Sequence, residues 1–524
     1  MGSSAIVETP APVHPHAPAT SARACDRILA FVDAHRRWFF AGLILLYVAG
    51  FNGFWRIEPD GALYLSLAKN IAEGKGYLYL NRAHHLAYPG LPYLIAGTFK
   101  LFGPGAIWPI HVLIGLMSLA TLALVYRLIC LHADRATASV VTFITGGTYL
   151  FLSFAYQLRN DVPYALGVMA FLCGCEGLRT RSRRRVLDIA LIVSGTALAT
   201  VMRPAMWALL FTIVLGTIFW MLQKRRGWAL LLGAAGVVTA VAFLCMYQGM
   251  HVAGLRILGD YEEQSVEKMT GSLGQMLWQV AGVNVPRLLG PILAESMCGH
   301  ELGPVLNPLA GLAVLVSACV YLRARPMWLV FVFMNLLMML LVLPEEAILP
   351  RYILPIFPLL VFAVWRGIAS LNRRLPQPWD WAGVILLCLW LIPNGIKDGE
   401  IIREQHAADF YATYKHGRYP PMFVMAEQLR EIVPPTRYVL AETKSGRIMS
   451  YLSDRRVVDS WEVPRFKPGK KIFLLLPADA GLVIYLRDKR VFVDDPPLTR
   501  VKTSDPAVSM TLHTALVGGR TELP

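Results

Sequence analysis

The sequence predicts an α-helical polytopic membrane protein with a polar α/β domain at its C-terminal end. Three observations carry that expectation. Of the 524 residues, 55% are hydrophobic and only 16% are charged, with a mean hydropathy of +0.48, which is the composition of the membrane class. The basic residues gather in short runs between apolar segments: Arg36-Arg37, Arg179 to Arg185, Lys224-Arg225-Arg226, Arg323 with Arg325, and Arg373-Arg374. Near residue 398 the long apolar segments stop and short β-rich runs begin.

In chain order, residues 1–37 are expected to form a cytoplasmic disordered tail. Residues 1–24 are rich in Pro, Ala, Ser and His, with little to bury, and are too polar for a signal-peptide core. Candidate spans follow at 38–54, 107–131, 136–157, 162–178, 187–202, 205–222, 228–250, 305–322, 327–343, 352–370 and 380–396. Several fall short of the roughly 20 residues that a bilayer core asks for. Segments 86–102 and 273–293 are also apolar. Counting either as a span would move a basic cluster to the far side, so both are read as helices in the outer interface.

About eleven spans result, in the plasma (inner) membrane, with the N-terminus cytoplasmic and the C-terminus extracytoplasmic. The transmembrane domain would cover 38–397, with outer loops 55–106 and 251–304, and an extracytoplasmic α/β domain would cover 398–524. In the latter, strands are expected at 438–441, 457–458, 472–476 and 491–493, and helices at 421–432 and 446–452. The net charge of +15 follows the positive-inside pattern, so no nucleic-acid partner is expected. The eight cysteines are scattered and show neither zinc spacing nor a disulfide framework.

With that topology, charged residues collect at one membrane face. Residues 58–77 read EPDGALYLSLAKNIAEGKGY. Leu63, Leu67 and Ile71 recur at helical spacing, which predicts an amphipathic surface helix over 60–73, ending at Gly74 and Gly76. Taken singly, each charge has a plain reading. Asp60 is an N-cap after Pro59, Asp161 caps a span, Glu58 is solvated, Arg203 snorkels, and Glu345, Glu346 and Arg351 pair among themselves. Taken together, they bring carboxylates and cations to where the spans emerge. A carboxylate there can take a proton from an acceptor hydroxyl. Arginines, or a divalent metal ion held by carboxylates, can stabilise a departing phosphate. Asp260, Glu262 and Glu263 lie in a loop that would act as a lid.

This inventory suits transfer of a sugar from a lipid phosphate. The alternatives are a transporter or flippase of lipid-linked sugars, a polysaccharide ligase or polymerase, and a non-catalytic assembly subunit. Transporters bury ionisable groups at mid-membrane, whereas the middles of these spans are nearly free of charge.

The stretch Pro59-Asp60 … Tyr64 to Tyr77 resembles the first outer loop of GT-C type polytopic glycosyltransferases of the family 39-like branch, which includes protein O-mannosyltransferases and lipid A aminoarabinose transferases. Tyr88-Pro-Gly-Leu-Pro-Tyr-Leu, Arg159-Asn-Asp161, Arg203-Pro204 and Arg351-Tyr-Ile-Leu-Pro-Ile-Phe-Pro358 resemble its later landmarks. The likeness covers about a third of the chain.

What it implies is a polyprenyl-phosphate sugar donor, transfer outside the cytoplasm to a protein, lipid or glycan hydroxyl, and inversion at the anomeric carbon. By position Asp60 is the catalytic carboxylate. Asp161 is the second acidic group and a metal ligand candidate, with Glu58 beside it. Arg351, Arg203 and Lys69 are candidates for the donor phosphate. Arg82, His84, His85 and Arg159 complete the candidate set, with Glu345 and Glu346. One departure bears on the metal: relatives often carry a second acid directly after the first Asp, and this chain has Gly61 there.

Overall fold

The computed structural model describes residues 23–80, 82–84, 87–180, 184–203, 205–222, 233, 273–342, 350–376, 379–414, 419–441, 446–459, 471–477, 491–501 and 510–517. A helical bundle precedes a smaller mixed α/β unit. The first helix, α1, spans Ala24–Ala49, and α2 spans Pro59–Ala72. The short strands β1 (Leu78–Tyr79) and β2 (Arg82–Ala83) pair antiparallel. Then come α3 (Gly90–Phe102), α4 (Trp108–Cys130), α5 (Arg135–Gly146), α6 (Tyr149–Phe154), α7 (Asp161–Arg179), α8 (Arg185–Met202) and α9 (Met206–Leu222). Further long helices cover Leu306–Leu322, Pro326–Val342, Phe357–Arg374 and Ala382–Gln405.

Among the described residues, Trp108–Cys130, Asp161–Arg179, Arg185–Met202 and Ala382–Gln405 are long and apolar enough to cross a membrane, and Met206–Ile218, Leu306–Leu322 and Pro326–Leu340 are shorter apolar helices. Large apolar side chains face outward around the bundle, including Leu45, Leu116, Val193, Leu309, Val316, Ile385 and Leu389. A water-soluble protein hides such stripes, and a lipid-facing surface requires them. The chain is an integral membrane protein.

At the centre lies α7, almost wholly buried along its length. Lipid supplies no hydrophobic drive between helices, so close packing must hold them. Gly167 and Gly195 meet that need: a Cβ on Gly167 would stand 2.8 Å from the Ala199 nitrogen, and one on Gly195 2.5 Å from the Gly167 oxygen. The α7–α8 hairpin is therefore backbone against backbone. Leu359 to Ala363 of the helix Phe357–Arg374 fill another part of the interior.

The structure corrects two sequence expectations. The stretch 24–37, expected within a disordered tail, is helical, because α1 begins at Ala24. Cys25 and Val32 bury there with Ile28 and Leu29 packed alongside, and Arg23 donates to the Asn372 carbonyl at 2.8 Å. The expected span 136–157 is two helices. Gly147 ends α5, Thr148 is extended, and the Asn394 side chain accepts from the freed Tyr149 N–H at 2.9 Å, which satisfies the new helix start. Segment 86–102 forms the 13-residue α3, and 273–298 is a broken run of short α and π turns with a kink at Gly290. Apart from residue 233, the expected span 228–250 lies outside the described residues, as do the acidic loop residues Asp260, Glu262 and Glu263.

The C-terminal unit holds the helices Pro420–Ile432 and Gly446–Ser453 and the strands β3 (Tyr438–Ala441), β4 (Arg456–Asp459), β5 (Lys471–Pro477), β6 (Val491–Val501) and β7 (Met510–Val517). The sheet order is β4-β3-β5-β7-β6. β3 pairs parallel with β4 and β5, and β7 pairs antiparallel with β5 and β6. The register of β6 slips between Asp494 and Thr499, across Asp495-Pro496-Pro497-Leu498, because proline has no N–H for the ladder.

Candidate active site

Helix α2 places the first candidate. Glu58 is its extended N-cap residue, Pro59 takes the first helical position, and Asp60 follows in the first turn. Proline is pre-organised for that position, and an acidic side chain beside the free N–H groups complements the helix dipole. Asp60 is therefore held by a helix end rather than by a loop.

The approach to it is fixed from the C-terminal unit. The Tyr419 hydroxyl donates to the Ile57 carbonyl at 3.0 Å, the Trp55 and Tyr451 rings meet edge to face at 5.1 Å, and the Phe54 and Phe410 rings stack at 5.6 Å. Helix Gly446–Ser453 packs directly on α2.

Two arginines hold the Asp60 carboxylate. Arg351, from the turn Pro350–Ile353, donates to Oδ2 at 2.9 Å. Arg447 donates to Oδ1 at 3.3 Å. About a third of the Asp60 side chain stays exposed. Burial pushes its pKa up, but the charges of Arg351, Arg159 and Arg447 outweigh that and hold the carboxyl below its ordinary value. Asp60 is ionised near neutral pH.

Asp161 opens α7 and pairs with Arg203 at the end of α8, both buried. Its Oδ2 has no hydrogen-bond partner among the described residues. Arg203 lies 4.4 Å from the centre of the Tyr352 ring, and Arg351 lies 5.1 Å from the same ring. Burial opposes the Arg351 charge, yet Asp161, Tyr352 and Asp60 raise its pKa further. The two acidic stretches, a hundred residues apart in sequence, thus share one cationic neighbourhood. Arg159 donates to Glu58 at 2.7 Å.

The other candidates separate from this cluster. Lys69 pairs with Asp454 of the C-terminal unit at 2.8 Å, in a polar cleft of about 180 Å³ also lined by Lys75, Arg455 and Arg456. His84 is buried, and its Nε2 accepts from the Ala87 N–H at 3.0 Å, which gives it a place in holding the loop. Arg82 lies in β2, paired with Tyr79. His85, Glu345 and Glu346 lie outside the described residues.

Two residues here were not singled out from the sequence. Tyr352 is shared by both arginines, and its neighbour in the quoted Arg351 motif was the available signal. Arg447 sits in a predicted helix with no pattern to mark it, and only the docking of that helix on α2 reveals it.

The described residues bring no three His, Cys, Asp or Glu side chains together in a way that could hold a metal ion. Each of the three carboxylates carries an arginine instead, a set suited to an anion more than to a divalent cation. A Cβ on Gly61 would stand in van der Waals contact with Leu158 and Trp55 at 3.4 Å.

No protein-family model and no curated protein matches the sequence. Solved structures do match. ArnT from Cupriavidus metallidurans in the apo state superposes with a TM-score of 0.55 at 14% identity, over 92% of this chain and 98% of the other. The same enzyme bound to undecaprenyl phosphate gives 0.55 at 12% identity, over the same shares. The Archaeoglobus fulgidus oligosaccharyltransferase tethered to an acceptor peptide gives 0.54 at 10% identity, over 94% of this chain and 75% of that one. At such identities it is the architecture that is shared. The chain has the GT-C type fold of these membrane glycosyltransferases.

Proposed function

We propose that the chain transfers a sugar from a polyprenyl-phosphate donor to an acceptor hydroxyl at the outer face of the membrane, with inversion at the anomeric carbon. The observation that carries this reading is Asp60, held ionised at the start of a helix beside Arg351, with the Asp161–Arg203 pair adjoining, in a chain with the GT-C type fold. Two structural neighbours support the donor class, ArnT with undecaprenyl phosphate and the archaeal enzyme AglB with dolichol-phosphate.

In the proposed step, the acceptor oxygen attacks the sugar C1 from the face opposite the phosphate. The new C–O bond forms as the C1–O(phosphate) bond breaks. The acceptor proton goes to the Asp60 carboxylate, and the electron pair leaves with the phosphate toward Arg351. A single displacement inverts the centre. Because the phosphate leaves as an anion, no general acid is needed, and the arginines act where negative charge develops. Asp161 orients Arg203, and both arginines lie against the Tyr352 ring. No step is routed through a metal.

The test compares membranes expressing wild type and Asp60→Asn at equal levels, with polyprenyl-phosphate sugars quantified by mass spectrometry. One lipid-linked sugar should accumulate in the variant alone, which would also identify the donor. Equal donor levels in the two, with the wild type depleting a donor relative to empty vector, would remove Asp60 from the chemistry. No change in any such lipid with either protein would sink the transferase reading.

A further inference from the structure

Among the described residues the site holds three carboxylates, Glu58, Asp60 and Asp161, and four arginines, Arg159, Arg203, Arg351 and Arg447. Arg159 answers Glu58, and Arg203 answers Asp161. Asp60 carries two cations, one on each oxygen. Among these described side chains the arginines outnumber the carboxylates by one, and the Asp60 group stands at an opening: Arg351 is 19% exposed, Arg447 24% and Asp60 34%.

The two arginines on Asp60 are held differently. Arg351 stands against Tyr352, donating to its hydroxyl at 3.2 Å. Arg447 reaches Asp60 by the longer contact, 3.3 Å, from a helix that belongs to the C-terminal unit. Each Asp60 oxygen keeps a lone pair beside its arginine, but two cations hold down its affinity for a proton, so release of one arginine makes Asp60 the stronger base. The less firmly held one is Arg447. A phosphate offers it several charged oxygens in planar reach of the guanidinium, a better partner than one carboxylate oxygen.

We propose that Arg447 is a donor-phosphate-binding residue, which leaves Asp60 Oδ1 for a phosphate oxygen when the lipid donor enters and so frees the oxygen that takes the acceptor proton. This rests on the glycosyl-transfer reading above. The C-terminal unit then contributes directly to the site, and Asp60 becomes the stronger base when donor is present. The competing role is simple docking, with Arg447–Asp60 acting like the neighbouring Lys69–Asp454 pair.

Undecaprenyl phosphate titrated into the purified full-length protein in detergent micelles separates the two. Wild type, Arg447→Gln, Arg447→Lys and Asp454→Asn are compared, with thermal unfolding of each. Arg447→Gln should weaken the Kd about tenfold, the scale of one charge-assisted hydrogen bond. Arg447→Lys should recover part of that, and Asp454→Asn, which loosens docking alone, should stay within about twofold of wild type. Wild-type affinity in Arg447→Gln would overturn the proposal. So would equal losses in all three variants accompanied by lowered unfolding temperatures, since that is the signature of docking. A wild type that binds no polyprenyl phosphate would instead remove the donor class itself, and this inference with it.

Discussion

The two ends of the α7–α8 hairpin are built from the same residue types to opposite effect. At one end, Asp161 and Arg203 pair beside Asp60, Arg351 and Arg447. About 22 Å along α7, at 1.5 Å per residue, Glu176 meets His132 and Arg179, and Asp188 at the start of α8 meets Arg127 of α4. The far end closes its charges in cation–carboxylate pairs, with Asp188 fully buried and Glu176 only 2% exposed. The Asp60 end leaves a carboxylate one-third open and doubly capped. The arginines at the two ends are similarly exposed, so the difference lies in the carboxylates: closed at the far end, open to solvent at Asp60. Under the proposed function, that difference in carboxylate exposure separates the two ends where residue identity does not.

The sharpest break of this comparison is expected at Asp60. Asp60→Asn should lower the rate of donor turnover by roughly 10²–10⁴-fold, the range for losing a general base, with an unchanged unfolding temperature. A loss of stability without that rate change would make Asp60 resemble the far end. There, Asp188→Leu should strand the Arg127 charge and cost about 3–5 kcal/mol of stability, read by unfolding in detergent. Arg127→Leu combined with Asp188→Leu should restore most of it, and donor affinity should change little in either.

The comparison is sharpened by pH. The cations around Asp60 favour its charged form, so the active base is lost only as pH falls through a pKa below the ordinary carboxylate value. In Arg351→Gln one of those cations is gone, and the acid limb of the rate profile should move to higher pH. A limb that stays in place would assign it to another group. The smallest effect is expected at the half-exposed Lys69–Asp454 pair, where Asp454→Asn should alter stability by about 0–1 kcal/mol; a larger change would mean that this contact, and not the packing on α2, holds the C-terminal unit in place.

Much of the bundle was legible because apolar runs and helix caps are local signals. The expected 162–178 and 205–222 are found at Asp161–Arg179 and Met206–Leu222. The break at Gly147-Thr148 was not legible, because it depends on Asn394 from a distant helix supplying the missing acceptor. The early start of α1 was hidden by the charges Asp33, Arg36 and Arg37, which mask a buried stripe. In the site, Asp60, Asp161, Arg203 and Arg351 could be named because each stands at a segment end beside a proline or a polar break. Lys69 was grouped with them by position on α2, and its partner lies on the C-terminal unit. Arg447 gave no warning, since its meaning arises from the docking of two parts nearly four hundred residues apart.

The slipped register in β6 has a consequence for a protein crowded on a membrane surface. β6 forms one outer edge of the five-stranded sheet, and an unprotected edge of 11 residues would template the addition of a strand from a neighbouring copy. Asp494-Asp495-Pro496-Pro497 interrupts that edge with charge and with nitrogens that cannot donate. To a neighbouring copy the described edge thus offers a ladder broken in its middle rather than a continuous one.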